Sequence, residues 1–292
     1  MKLRAYAKIN LGLDVLGKRA DGYHEVKMIM QMIQMYDLLD IEKTKQPGIH
    51  LATNLSYIPV NENNLVYKAA QLLMERFDVQ DGVTIKLHKF IPVAAGMAGG
   101  SSDAAAALVG INQLFNLGLN VQELMELGVK IGADVPYCVM RGTALAEGIG
   151  EKLTALPPMP PCYILIGKPG ISVSTKYVYT HLDLLPDRKH PDIDGIITAL
   201  ENGDLYGITD RMENILETVT IPAHPVIEEI KDHMKAHGAI NAMMSGSGPT
   251  VFGIFDNQKK AEKACEALRK SSLAKQVFLT EPFHNGGTSD DK

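Results

Sequence analysis

The sequence predicts an α+β protein of two domains, and three observations predict it. Segments with the two-residue period of strands and the 3.6-residue period of helices are mixed along the chain without strict βα alternation. Four prolines (Pro157, Pro158, Pro160 and Pro161) interrupt all regular structure near the middle. The 292 residues, 46% of them apolar, suit one large or two medium domains with proper cores. We therefore expect one domain over residues 1–156, a second over 157–283, and a disordered tail over 284–292, which reads HNGGTSDDK.

Taken in order, residues 2–16 alternate as a strand. Ile9, Leu11, Leu13 and Val15 fall on one face, and Lys8, Asn10, Gly12 and Asp14 on the other. RADGYHE (19–25) is a turn with Asp21-Gly22 at its tip. Residues 26–39 are Met- and Ile-rich and apolar on both faces, so this strand is interior and its methionines belong to the core. Strands are expected at 48–54 and 82–90, with a helix from Asn64 to Phe77 between them. A helix over 101–115 follows a glycine-rich loop, and VQELMELGVKI continues as a second helix into GADVPYC (132–138). Residues 142–156 read as a hairpin. Beyond the prolines come a strand (CYILIGKP) and helices near 174–182, 192–201, 207–217 and 225–237. INAMMSGSGPTVFGIF is a strand, a glycine turn and a strand. A helix at 257–270 and a strand at 275–280 finish the chain's regular structure. No internal repeat is visible.

The net charge of −5 argues against a broad surface for nucleic acid or anionic membrane. It leaves room for a small anion held by a few local donors. Cys138, Cys162 and Cys265 are odd in number and far apart, so neither a zinc site nor a disulfide framework is indicated. They are expected as buried reduced thiols of a cytosolic protein. The N-terminal MKLRAYAKINLGLDV lacks the continuous apolar core of a signal peptide, and no apolar run approaches the ~20 residues that span a bilayer.

The chemistry concentrates in PVAAGMAGGSSDAAAAL (92–108). This loop follows a strand and opens a helix, whose unpaired N–H groups and partial positive charge attract anions. Small residues let those N–H groups approach phosphate oxygens. Ser101 and Ser102 are placed to cap the helix or to reach phosphate or a metal. The bland alternative is a tight turn with close helix packing. The pattern is neither Walker A, since no GK[S/T] closes it, nor a Rossmann fingerprint. Three further pieces stand out: Asp134 beside a proline in GADVPYC, Lys8 on a strand otherwise apolar, and SGSGPT (245–250), a second glycine turn. Taken singly they read as a cap, an edge charge and a turn.

In this order, AKINL (7–11), PVAAGMAGGSSDAA (92–105) and MMSGSGPTVFG (243–253) resemble the three motifs of the GHMP kinases, and the likeness spans nearly the whole chain. The resemblance implies a ribosomal-protein-S5-like N-terminal domain, a ferredoxin-like C-terminal α/β sandwich, and ATP-dependent phosphoryl transfer to an alcohol. AKINL followed by DGYHE narrows it to the branch whose acceptor is a cytidine-diphosphate-linked polyol of non-mevalonate isoprenoid synthesis. Carried over position by position, Asp134 is the catalytic base and Lys8 its charged partner. Pro92, Val93, Ala94, Ala95, Gly96, Met97, Ala98, Gly99, Gly100, Ser101 and Ser102 wrap the ATP phosphates. Asn10, Tyr23, His24, Thr175 and Tyr179 contact the acceptor. Magnesium is expected with ATP, held mainly by phosphates and water, and no residue is assigned to it. Where many members have glycine, this loop has Ala94, Ala95 and Ala98. Alanine disfavours positive φ, so these three are expected at ordinary angles, with Gly96, Gly99 and Gly100 carrying any special geometry. The rival readings are a homoserine- or mevalonate-type kinase and a ligand sensor without turnover.

Overall fold

In the computed structural model the described residues are 1–184 and 189–284, so the expected tail lies, apart from His284, outside them. Strands β1 (Lys2–Lys18) and β2 (His24–Thr44) form a long antiparallel hairpin around the turn at Gly22. Strands β3 (Ile49–Thr53) and β4 (Gly82–His88) flank helix α1 (Leu65–Arg76), which Asn64 caps by accepting the Val66 N–H at 2.9 Å. Helices α2 (Gly99–Leu114), α3 (Val121–Val129) and α4 (Val135–Met140) lead to the hairpin β5 (Thr143–Gly148) and β6 (Lys152–Ala155). The first sheet runs β3-β4-β2-β5-β6, with β1 added along β2, and only the β3–β4 pair is parallel.

After the prolines come β7 (Tyr163–Lys168), then α5 (Thr175–His181), α6 (Ile193–Glu201), α7 (Leu205–Arg211), α8 (Glu217–Ala223) and α9 (Val226–Ala236). Strands β8 (Asn241–Met244) and β9 (Val251–Phe255) flank the SGSGPT turn, and α10 (Gln258–Lys270) and β10 (Gln276–Thr280) follow. The second sheet is antiparallel, in the order β10-β7-β9-β8.

The helix expected over 207–217 is two helices. The backbone between them is spent on β1 instead: the Leu13 N–H donates to Glu213 O and the Ile215 N–H to Leu13 O, both at 3.0 Å. Asn214 Nδ2 then donates to the carbonyls of Met244 and Gly246, at 2.9 and 2.8 Å, which ties this connection to the second sheet.

The core follows the strand period. Ala7, Ile9 and Leu11 of β1 pack with Ile29 and Ile33 against Ile164, Ile166, Phe252 and Ile254 of the second sheet and against α6. The other face of the first sheet is covered by α1, α2 and α4, and the other face of the second sheet by α9 and α10. The expectation for β1 fails at one place. Leu13 and Val15 join the helix-covered side, opposite to Ile9 and Leu11, because the pairing register shifts between Asn10 and Gly12. An extra residue in one strand reverses every later side chain. Because both faces of this sheet are covered, Lys8, Asn10 and Asp14 are all buried, on either side of the shift.

Candidate active site

A cavity of about 970 Å³ is lined by the glycine-rich loop of residues 92–100, the middle of β1, the β1–β2 turn, the N-terminus of α4, α5 and the 245–248 turn. The loop is the best-defined wall. The Lys8 N–H donates to Met97 O at 3.1 Å, and Met97 and Ala95 are buried beneath the loop. From the other side Ser245 Oγ donates to Gly96 O at 2.9 Å. The special backbone angles differ from expectation. Ala94, Gly96 and Ala98 have φ of 50°, 71° and 54°, whereas Gly99 and Gly100 are ordinary helical residues and Ala95 is ordinary. A left-handed alanine costs about 1 kcal/mol. The carbonyls of Gly96 and Met97 are held by Ser245 Oγ and the Lys8 N–H, and between these anchors the chain turns at Ala94 and Ala98.

The serines also depart from expectation. The cap position belongs to Ala98, whose side chain can accept nothing. Ser102 is buried and donates to Tyr6 O at 2.7 Å, away from the cavity, while Ser101 lines it. The first N–H groups of α2 thus have no side-chain cap and open onto the cavity, which suits an anion.

Asp134 occupies the cap position of α4 but makes no capping hydrogen bond, so its carboxylate is not spent on the helix. It lines the cavity together with Lys8. Lys8 Nζ donates to Asn10 Oδ1 at 2.8 Å, and among the described residues it forms no ion pair with Asp134. Asn10, expected against the acceptor, is fully buried behind the wall, with its amide donating to Met28 Sδ at 3.4 Å. Its amide oxygen is the acceptor for the Lys8 ammonium.

Tyr23, His24 and Tyr179 form an aromatic end to the cavity, with Tyr23 60% exposed. The rings of His24 and Tyr179 are 5.2 Å apart and tilted by 42°. Burial, helped by Lys18, lowers the proton affinity of His24, which keeps the ring neutral, with one donor and one acceptor. Burial and nearby Asp134 push the Tyr179 hydroxyl up, so it stays protonated. Thr175 Oγ1 lies 2.8 Å from Ser247 Oγ, which joins α5 to the second glycine turn.

Two profiles match the chain: "GHMP kinases N terminal domain" over residues 64–142 and "GHMP kinases C terminal" over 196–273. The 4-diphosphocytidyl-2-C-methyl-D-erythritol kinase of Lachnoclostridium phytofermentans is 57% identical over 98% of both chains. The chain belongs to the GHMP kinase family. A crystal structure of 4-(cytidine 5'-diphospho)-2C-methyl-D-erythritol kinase superposes with a TM-score of 0.84 at 33% identity, covering 98% of this chain and 100% of the other. A homoserine kinase from Cytophaga hutchinsonii shares the fold, with a TM-score of 0.76 at 21% identity over 96% and 93% of the two chains.

As a GHMP kinase the protein is an ATP-dependent small-molecule kinase with the two-domain fold of that family. No helix among the described residues is long and apolar enough to cross a membrane. Among those residues no group of three or more His, Cys, Asp or Glu side chains forms a metal cage. Sequence reasoning missed one stretch of this GHMP kinase's cavity wall. Tyr57, Ile58, Pro59, Asn63 and Leu65 line it, and the exposed Tyr57 beside an asparagine cluster was the available signal. Lys89 and Asp103 were missed too, because their meaning depends on Asp37, 52 residues before Lys89.

Proposed function

We propose that the protein transfers the γ-phosphoryl group of ATP to a hydroxyl of 4-diphosphocytidyl-2-C-methyl-D-erythritol. The products are the 2-phosphate and ADP, a step of non-mevalonate isoprenoid precursor synthesis. One observation carries the reading. Asp134, a carboxylate unused by its own helix, shares a cavity with the open end of α2 and with the Tyr23, His24 and Tyr179 rings. The 57% identity to a relative named for that acceptor favours it over the homoserine and mevalonate readings.

In this reading the acceptor hydroxyl oxygen forms a bond to the γ-phosphorus as the bond to the β-phosphate oxygen breaks. The hydroxyl proton passes to Asp134. The transition state is loose, so the proton leaves late and positioning dominates the rate. Lys8, held by Asn10, supplies positive charge to the transferred group. The N–H groups at Gly99, Gly100 and Ser101 receive phosphate oxygens. Tyr23 and Tyr179 pack on the cytosine ring, and His24 bonds its edge. Magnesium, which ATP would bring, would be held mainly by phosphates and water, and no residue is assigned to it. We further propose a domain division at the proline run, 1–156 and 157–283, and a cytoplasmic setting that keeps Cys138, Cys162 and Cys265 as the free buried thiols they are. Burial pushes the Cys162 thiol up to about 12, which fits an unreactive role.

ATP turnover with a panel of acceptors tests the assignment. A site fixed for the donor and acceptor pattern of cytosine leaves buried groups unpaired against uracil. The cytidine-linked acceptor should exceed its uridine analogue in kcat/KM by about 10-fold or more, with homoserine and mevalonate inert. Equal use of the two nucleotide-linked acceptors would refute the reading.

A further inference from the structure

Beneath the glycine-rich loop three charged groups meet almost out of water, with Lys89 and Asp103 reaching the cavity wall. Asp37 on β2, Lys89 just after β4 and Asp103 on α2 are 0%, 8% and 3% exposed. Lys89 Nζ donates to Asp37 and, at 2.6 Å, to Asp103 Oδ2. Asp37 Oδ1 also accepts the N–H groups of Phe90 and Ile91. Asn54 holds the Lys89 backbone on both sides, accepting its N–H at 2.8 Å and donating to its carbonyl at 3.2 Å. The chain leaves this anchorage at Phe90 as the phosphate loop and returns to it at Asp103. One ammonium group therefore ties both ends of the excursion. It lies 3.2 Å from where a Cβ on Gly99 would stand, directly under the first residue of α2.

The charges do not cancel. Two carboxylates and one ammonium leave a net negative charge, and Asp103 Oδ1 has no partner. A buried ionised oxygen without a donor is costly. The groups facing Asp103 are Lys89 and Asp37, with the neutral thiol of Cys138 from α4 nearby. Burial raises the proton affinity of Asp103 well above the ordinary carboxylate range, Lys89 opposes the shift, and Asp37 adds to it. Polyphosphate arriving at the helix N-terminus brings further negative charge close to this carboxylate and raises that affinity again.

We propose that Lys89 is the positioning residue of the phosphate loop, joining its two ends through Asp37 and Asp103, and that Asp103 takes up a proton when ATP binds. The inference rests on reading the loop as the phosphate site. The proton goes to the open Oδ1, which neutralises the trio and leaves Oδ2 bonded to Lys89.

Calorimetry of ATP binding to the full chain, in buffers of different ionisation enthalpy, counts protons taken up. The wild type should take up more protons than Asp103→Asn, because ATP's own protonation is common to both. The Asn side chain can still accept from Lys89, so the variant keeps the loop anchored for the proton comparison. Lys89→Met leaves two buried carboxylates facing each other. It should weaken ATP by about 10-fold or more, with the acceptor KM changed by less than about 2-fold. The proton comparison decides the matter even if Lys89→Met does not fold. Equal uptake by wild type and Asp103→Asn, or unchanged ATP affinity in folded Lys89→Met, overturns the proposal alone. Failure of the wild type to bind ATP overturns the reading of the loop and this proposal with it.

Discussion

At the scale of single residues the site depends on side chains that decline their ordinary local work. An aspartate at a helix N-terminus usually accepts a backbone N–H, which would turn its oxygens toward the helix. Asp134 makes no such bond. Pro136 at the second position of α4 has no N–H to offer, so one of the usual partners is missing by composition. The carboxylate is left for the cavity. Replacing it with asparagine keeps the shape and removes the proton acceptor. Turnover of Asp134→Asn should fall by roughly 10²–10⁴-fold with near-normal ATP binding. Steady-state kinetics alongside nucleotide titration checks this, and a loss of only a few-fold would exclude Asp134 as the base. The opposite case is Ser102, whose one hydroxyl proton is spent on Tyr6 O at 2.7 Å.

At the scale of elements, the glycine-rich loop is shaped by what presses on it from both sheets. Gly96 has φ of 71°, and a Cβ there would stand 2.1 Å from Ser245 O. Gly100, on the open first turn of α2, would place a Cβ 3.6 Å from Leu65 Cδ1, an ordinary contact. Gly96→Ala should therefore cost about 3 kcal/mol, a drop in Tm of roughly 6–12 °C. Gly100→Ala should leave Tm unchanged or slightly raised, since alanine favours helix. Thermal unfolding of both variants decides it, and equal shifts would mean that the 245–248 turn does not constrain the loop. This contact also explains what could be read in advance. The loop, its helix and both glycine turns were visible as local pattern. The strained positions were not, because Ala94 and Ala98 adopt left-handed angles only through anchors at Met97 and Ser245. The bulge in β1 was hidden for the same reason. A register shift is a property of two strands, and only one of them is local in sequence.

At the scale of the whole molecule, the order of elements was legible from period and punctuation, and the long-range closure was not. Strand β10 belongs to the second sheet, yet the chain beyond it returns to the first. The Gln34 N–H donates to Glu281 O at 2.9 Å, and the Phe283 N–H to Met32 O at 2.8 Å. The Phe283 ring packs 4.5 Å from the ring of Tyr6, beneath the strand that carries Lys8 and Asn10. Nothing in the local pattern of EPFH marks it as a fastening between halves. If it is one, loss of the ring weakens the first sheet and its hold on the second together. Phe283 is half-buried, so its truncation removes part of a full aromatic burial. Phe283→Ala should cost about 2 kcal/mol, lowering Tm by roughly 4–8 °C. The backbone bonds of Glu281 and Phe283 to β2 remain in the variant, so unfolding should stay one transition. Scanning calorimetry reads both quantities. An unchanged Tm would show that the ring fastens nothing and that the C-terminal return is only a covering strap, whereas two separated transitions would show that the ring itself couples the halves.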